Sequence, residues 1–176
     1  MDKYIFTEIF TLFPKELYTP KAAETALKAQ FGLGNGYIFK EYPYKGGEIV
    51  VSYAIPAKET QDQTEYTKMY PLVARLLEEA DSIGDYNKVM LHYCNKRNIA
   101  HIIISTGEEL RLANPFKSDS FESALYFLFL SIQQLQMNPR QCVIRVCSSI
   151  TEQQEETIRR FFKGVEKNNL DNFILR

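Results

Sequence analysis

Two histidines, His92 and His101, are the side chains of the sequence best suited to binding a metal ion. They lie in two apolar segments on either side of a polar stretch centred on Lys96-Arg97, which predicts a tight turn. Antiparallel pairing across this turn would place His92 opposite His101, with Cys94 two residues along on the same face. Two imidazoles and a thiolate could bind zinc or copper. Because the sequence identifies neither a further ligand nor the groups that would orient these three, ordinary cross-strand packing is the favoured interpretation.

The three cysteines are the other candidate nucleophiles or ligands: Cys94, Cys142 and Cys147. Each lies in an apolar predicted strand, where a thiol is usually an inert core side chain. Cys142 and Cys147 are five residues apart in one strand, so they point to opposite faces and cannot form a disulfide with each other. An odd number of cysteines without C-x-x-C spacing favours a reducing compartment, and we therefore expect a cytoplasmic protein.

Two segments resemble phosphate-binding sites only in part. Glycines 32, 34 and 36 follow a predicted helix and lack the spacing of a dinucleotide fingerprint, so a helix end and a turn are favoured. Ser148-Ser149 lie between a predicted strand and the helix that begins near Thr151. Their backbone N–H groups could contact an anion, although turn and cap chemistry is the simpler interpretation.

Charge excludes several classes of function. The formal net charge is −1 with a pI near 6.2, and the basic clusters are short, so we expect no nucleic-acid binding. The longest apolar run is far below the roughly 20 residues of a membrane span, which predicts no membrane insertion. The carboxylate pairs are interpreted as solvated charge: Glu78-Glu79, Glu108-Glu109 and Glu155-Glu156. The residues thus predict no catalytic, cofactor or metal site.

The first half of the chain alternates strands and helices. We predict the following elements: a strand over 4–13, a helix capped by Thr19-Pro20 and ended by Gly32, strands over 37–44 and 48–55 around a two-residue turn at Gly46-Gly47, a linker over 57–68, and a helix from Pro71 that ends before Gly84. Pro43 predicts that the strand over 37–44 is short or lies at a sheet edge.

The second half has the order β-β-β-α-β-α, with a final strand as an addition. We predict these elements: strands over 89–94, 99–105 and 110–113, a helix over 120–137 that is buried between layers, a strand over 142–147, a helix capped by Thr151 whose apolar stripe continues to Val165, and a short strand over 173–175. A three-stranded meander followed by a helical crossover predicts an α/β fold with a mixed sheet. We place a partial first lobe in residues 1–84 and a second lobe in residues 85–176.

Two short segments resemble a known family. The sequences FTLFPKEL at Phe10–Leu17 and LANPF at Leu112–Phe116 are similar to those of domain-of-unknown-function (DUF) family 3822, found in Bacteroidetes. The resemblance extends from about Thr7 to Ile150. It implies a degenerate actin-like ATPase fold, in which each of two lobes follows a ribonuclease-H-like plan, and this agrees with the order of elements in the second half. It also implies an incomplete first lobe, because relatives begin with a further meander and helix.

The same resemblance bears on activity. A working actin-like ATPase has an Asp-x-Gly phosphate motif in the hairpin of its second lobe, where this chain reads Cys94-Asn95-Lys96-Arg97-Asn98. The strand end that would carry Gly-Gly against adenosine reads Cys147-Ser148-Ser149-Ile150. The resemblance therefore implies a non-catalytic scaffold or protein-interaction module with an unknown protein partner, a homodimer being one form. The alternative is a nucleotide-binding protein with weak or no ATP hydrolysis.

Overall fold

The computed structural model describes residues 4–57 and 70–174, which form two compact units. The first contains the chain up to Arg75 together with residues from Phe173 on, and the second is Leu76–Asn172. The division thus falls within a helix, whereas the sequence suggested the loop that follows it, at residue 84. Of the predicted linker, residues 58–68 lie outside the described residues.

The first unit contains a three-stranded antiparallel sheet in the order β2-β4-β3 and a helix that packs on it. Its elements are β1 Tyr4–Ile5, β2 Phe10–Pro14, α1 Pro20–Phe31, β3 Tyr37–Tyr44, β4 Ile49–Pro56 and β5 Tyr70–Pro71. Helix α1 has the predicted ends, since Thr19 Oγ1 accepts the Ala22 N–H and Gly32 adopts a φ of 63°. Its buried residues are Ala23 and Leu27, which are one helical turn apart.

Three details of the first unit differ from or refine the prediction. The strand expected over 4–13 is two strands, with β1 paired in parallel with β5 and β2 paired with β4. The turn between β3 and β4 is longer than two residues, because Tyr44 pairs with Ile49 and a short 3-10 turn at Lys45–Gly47 lies between them. The edge position that Pro43 predicted for β3 is confirmed.

The second unit contains a five-stranded mixed sheet in the order β10-β9-β6-β7-β8. Its elements are α2 Leu72–Asp81, whose first turn belongs to the first unit, β6 Asn87–Cys94, β7 Ile99–Thr106, β8 Glu109–Lys117, α3 Phe121–Gln134, β9 Val143–Val146, α4 Glu152–Arg159 and β10 Gly164–Lys167. Strands β6, β7 and β8 form the predicted antiparallel meander. Strands β9 and β10 add in parallel on the other side of β6, which completes the order β-β-β-α-β-α-β.

Helices α3 and α4 cover one face of this sheet. The main core of the unit lies there and includes Leu91, Ile102, Leu128, Ile144 and Ile158. Ser120 caps α3 and Thr151 caps α4, each in a capping box, as the sequence predicted for Thr151.

The end of the chain departs from the prediction. Helix α4 ends at Arg159, so Val165 lies in β10 and not on a helical stripe. The strand expected over 173–175 is absent from its described part, where Phe173 ends a 3-10 turn and Ile174 makes one isolated bridge with Tyr4. Leu175 lies outside the described residues. Within the described ranges, no helix has the length and apolarity needed to cross a bilayer.

Candidate functional site

The carboxyl ends of β6, β9 and β10 meet at one edge of the sheet in the second unit, because these three strands are parallel. Ligands of open α/β sheets usually bind outside this edge. We refer to it as the carboxyl edge. It is formed by the end of β6 at His92 and Tyr93, by Ser148-Ser149 after β9, and by residues 168–172 after β10.

The predicted histidine pairing is confirmed. His92 lies directly opposite His101 in the β6–β7 ladder, and the centroids of their rings are 5.8 Å apart. Both side chains are buried. Among the residues that the structure describes, no three His, Cys, Asp or Glu side chains are arranged to hold a metal ion. The geometry is that of two imidazoles packed across a strand pair.

Asp171 is the residue of the carboxyl edge that the sequence did not indicate. Its Oδ1 lies 3.4 Å from His92 Nε2, and its Oδ2 accepts the Ser149 N–H at 2.8 Å. Burial raises the pKa of Asp171, but the hydrogen bonds from His92 and Ser149 outweigh it, so this pKa lies below the ordinary 3.8. The edge therefore holds an ionised carboxylate supplied by the chain itself.

Segment 168–172 follows β10 and positions the Asp171 carboxylate. It does so by hydrogen bonds to the last residue of β9 and to the residue after it. The Asn168 N–H donates to Val146 O at 3.0 Å, and the Leu170 N–H donates to Cys147 O at 2.9 Å. The Leu170 side chain is buried. The Asp171 N–H donates to Asn169 Oδ1 at 2.9 Å, a turn that directs the carboxylate toward Ser149.

Ser148 and Ser149 do not cap α4, whose N-cap is Thr151, and instead accept hydrogen bonds from other parts of the carboxyl edge. Ser148 Oγ is buried and accepts the Tyr93 N–H at 3.1 Å, which joins the ends of β6 and β9. Ser149 Oγ accepts a hydrogen bond from Asn169 Nδ2 at 2.8 Å. The backbone N–H of Ser149 contacts a carboxylate of the chain itself, that of Asp171.

The turn between β6 and β7 carries cations at the position where the resemblance to actin-like ATPases implies a phosphate motif with an aspartate. It is closed by the Arg97 N–H donating to Cys94 O at 3.2 Å, and Lys96 and Arg97 are exposed. Asn98 has a φ of 53°, a left-handed conformation that asparagine tolerates. A turn of this composition offers no carboxylate to a magnesium ion.

The remaining predicted candidates have structural roles, with one correction. Gly32 ends α1, as predicted. Burial raises the pKa of Cys142 to about 11, so its thiol is not a nucleophile at neutral pH. The interpretation of Glu78-Glu79 as solvated charge is wrong for Glu79, which is buried and forms an ion pair with Arg145 at 3.0 Å.

Two exposed aromatic side chains, Tyr126 and Phe161, each contact a partly buried ring that packs on the main core. We call these rings, together with the neighbouring Phe116, the aromatic face: Phe116, Tyr126, Phe127, Phe129 and Phe161. The side chains of Tyr126 and Phe161 are 62% and 45% exposed. Rings within the face contact each other, with 5.5 Å between the centroids of Tyr126 and Phe127 and 5.1 Å between those of Phe129 and Phe161. The sequence predicted that this helix is buried between layers. This prediction is wrong for one side of α3, where Tyr126 is exposed.

Comparisons with known proteins agree with the fold and leave the activity open. The structure is similar to the 1.85 Å crystal structure of a Bacteroides thetaiotaomicron VPI-5482 protein with actin-like ATPase fold and unknown function. The two chains are 19% identical, with a TM-score of 0.77, and the match covers 96% of this chain and 70% of the other. No curated protein matches. The protein thus has an actin-like ATPase fold.

The sequence profile of the family described as "Protein of unknown function (DUF3822)" matches residues 4–165. This range includes the two segments that carry the resemblance, Phe10–Leu17 and Leu112–Phe116. It also includes the five-stranded sheet of the second unit except the last two residues of β10. The chain belongs to the DUF3822 family of proteins of unknown function.

Proposed function

We propose that this protein is a non-catalytic module with an actin-like fold that binds another protein through the aromatic face. The observation that carries the proposal is the exposure of Tyr126 and Phe161 beside rings that are already ordered. Each of these two exposed rings contacts a partly buried ring, and aromatic side chains contribute strongly to protein interfaces. Because the rings support one another, their burial would cost little additional side-chain entropy.

The ion pairs beside the face favour an apolar contact over a charged one. Arg159 pairs with Glu155 at 2.6 Å, and Lys163 pairs with Asp85 at 2.6 Å. Each of these two cations is therefore paired with a carboxylate of the same chain. A partner that covers the rings would meet these two cations already paired, which suits a second copy of the chain or another apolar protein surface.

The carboxyl edge supports the non-catalytic part of the proposal. Asp171 occupies the backbone N–H at the strand end, and cations occupy the turn between β6 and β7. Both features oppose the arrangement in which a nucleotide phosphate and its metal ion would be held.

Sedimentation equilibrium and pull-down with mass spectrometry test the proposal on three proteins: the wild type, Tyr126→Glu and Tyr86→Glu. Tyr86 is the matched control, since it is 67% exposed and lies outside the aromatic face. We expect a self-association or a reproducible partner that Tyr126→Glu weakens at least about tenfold, the range of an interface anchor, and that Tyr86→Glu leaves unchanged. A monomeric wild type without a reproducible partner contradicts the proposal, and so do equal effects of the two variants.

The competing function is nucleotide binding with weak or no hydrolysis, favoured by the actin-like fold. Thermal unfolding with ATP and magnesium distinguishes the two. A nucleotide at 100 times its Kd would stabilise the protein by about 2.7 kcal/mol, which raises the Tm by several degrees. An unchanged Tm at millimolar ATP excludes this function in favour of the protein-binding one.

The proposed module acts in the cytoplasm. Cys94 and Cys142 are thiols outside any disulfide, and Cys142 is buried, as in proteins of reducing compartments. Fusion to a fluorescent protein in cells provides the test, and fluorescence confined to the envelope would contradict it.

A further inference from the structure

Asn35 and Gly36 form the part of the chain best suited to a spontaneous covalent modification. Asn35 is followed by glycine, whereas every other asparagine of the sequence is followed by a residue with a side chain. Gly34, Asn35 and Gly36 are all exposed in the segment between α1 and β3. A methyl group added at Gly34 or at Gly36 would meet open space, so the fold leaves room around Asn35 for a ring to form.

The reaction requires the backbone nitrogen of Gly36 to reach the side-chain carbonyl carbon of Asn35. Glycine favours this attack because it has no Cβ beside the nitrogen, and because it adopts backbone conformations that other residues rarely reach. Gly36 has a φ of 109°, which lies in that region. The attacking peptide group is therefore unhindered and lies in a segment that is open to water.

We propose that Asn35 is a deamidation site, at which the chain modifies itself with water as the co-reactant. The Gly36 nitrogen loses its proton and forms a bond with Asn35 Cγ, and the side-chain nitrogen takes up a proton and leaves as ammonia. Water then adds to one of the two carbonyl carbons of the resulting succinimide ring and breaks the bond of that carbon to the ring nitrogen. The product is aspartate or isoaspartate, and nothing is oxidised or reduced.

The isoaspartate product changes the backbone at the open end of the β3–β4 pair. It routes the main chain through the side chain of residue 35, which adds one carbon directly before β3. Gly36 O accepts the Ala57 N–H at 2.8 Å, next to the last pair of the ladder, Tyr37 with Pro56. The added carbon displaces Gly36 O from this donor and weakens the bond. The aspartate product adds only a charge.

The experiment incubates the full chain in its native state and in concentrated urea at the same mildly alkaline pH. Peptide mapping by mass spectrometry follows Asn35 in both samples. Asn95 is the internal control, since it is also exposed and lies in a turn, but it is followed by Lys96. The variant Gly36→Ala adds a side chain to the attacking residue. The site belongs to the first unit and the aromatic face to the second, so this inference does not depend on the proposed function.

We expect Asn35 to convert in the native protein at nearly its rate in urea, because the fold does not shield it, and to convert faster as the pH rises. Asn95 should keep its amide over the same period. Gly36→Ala should slow the conversion at least about tenfold in both samples, which corresponds to about 1.4 kcal/mol in the activation barrier. In hydrogen exchange, the Ala57 amide of the isoaspartate form should exchange faster than that of Asn35→Asp, which has the same charge on an ordinary backbone.

A native Asn35 that keeps its amide overturns the proposal, and conversion in urea alone would show that the fold protects it. Equal rates at Asn35 and Asn95 would also overturn it, because the following glycine would then have no effect. Equal exchange of the Ala57 amide in the isoaspartate form and in Asn35→Asp would refute the effect on the β3–β4 pair. The comparison of native protein with urea needs no variant, so it stands even if Gly36→Ala fails to fold.

Discussion

Replacing Arg145 with alanine tests how strongly buried charge holds α2 to the sheet of the second unit. Arg145 lies in β9, and its guanidinium bonds Glu79 of α2 at 3.0 Å and Glu166 of β10 at 2.6 Å. The same side chain also donates to Glu79 O at 2.8 Å and to Ser82 Oγ. Burial lowers the pKa of Arg145, but the contacts with Glu166 and Glu79 raise it overall, so the charge is retained.

The two acidic partners contribute unequally because they differ in exposure. The Glu79 side chain is 6% exposed, so Arg145→Ala would leave a buried carboxylate without its cation, which costs about 3–5 kcal/mol. The Glu166 side chain is 43% exposed and would be solvated by water, so its loss of a partner adds about 1 kcal/mol or less. We therefore expect the free energy of unfolding to fall by about 3–5 kcal/mol.

Urea unfolding followed by circular dichroism measures this change, with an unchanged m-value as the sign that the folded state is otherwise preserved. The matched control is Arg159→Ala, which breaks an ion pair whose arginine is 54% exposed and should cost about 1 kcal/mol or less. Removing both charges, as Arg145→Met with Glu79→Met, should recover most of the stability, because no buried charge is left unpaired. A loss below about 1 kcal/mol for Arg145→Ala, or a double variant as unstable as the single one, would refute the reasoning.

Three further predictions concern the backbone, the core and pH. Gly32→Ala should lower the free energy of unfolding by about 1 kcal/mol, because φ is 63° there. Gly34→Ala should cost less, since the added methyl group would lie in open space and φ is not positive. Equal urea midpoints of the two variants would contradict this prediction. Leu128→Ala should cost about 2–5 kcal/mol in the same assay, since the side chain is fully buried in the main core, and a cost below that range would mean that the core closes over the cavity. The pKa of Asp171 is lower in the folded state than its ordinary 3.8, so its stabilisation is complete above that value and is lost as the pH falls below it. Asp171→Asn should flatten this acid limb in urea titrations at several pH values, and an unaltered limb would mean that other carboxylates produce it.

The capped starts of α1 and α4 were predictable because their signals are local. A capping side chain and the N–H it accepts are three residues apart, as at Thr19 and Ala22 or Thr151 and Gln154. The His92–His101 pairing was predictable for a similar reason, since a tight turn sets the register of the two strands that it joins.

The features that escaped prediction depend on distant parts of the chain. Asp171 meets His92 only because β10 adds in parallel beside β9, a pairing that no local pattern reports. Glu79 was interpreted as surface charge because its partner, Arg145, lies in β9, 66 residues further along the chain. The apolar sequence of α3 shows that its side chains avoid water, but not which of them the sheet covers, so the exposure of Tyr126 could not be inferred.

The strand order of the second unit also has a consequence for the time course of folding. Strand β6 meets β7 across one turn, where Cys94 pairs with Ile99, so the meander needs little loop closure. On its other side Leu91 pairs with Val146, which is synthesised more than fifty residues later. A central strand therefore has one open hydrogen-bonding edge throughout the synthesis of β7, β8 and α3. A nascent chain at this stage exposes an apolar strand edge on which chaperones act, and it loses that edge only when β9 arrives.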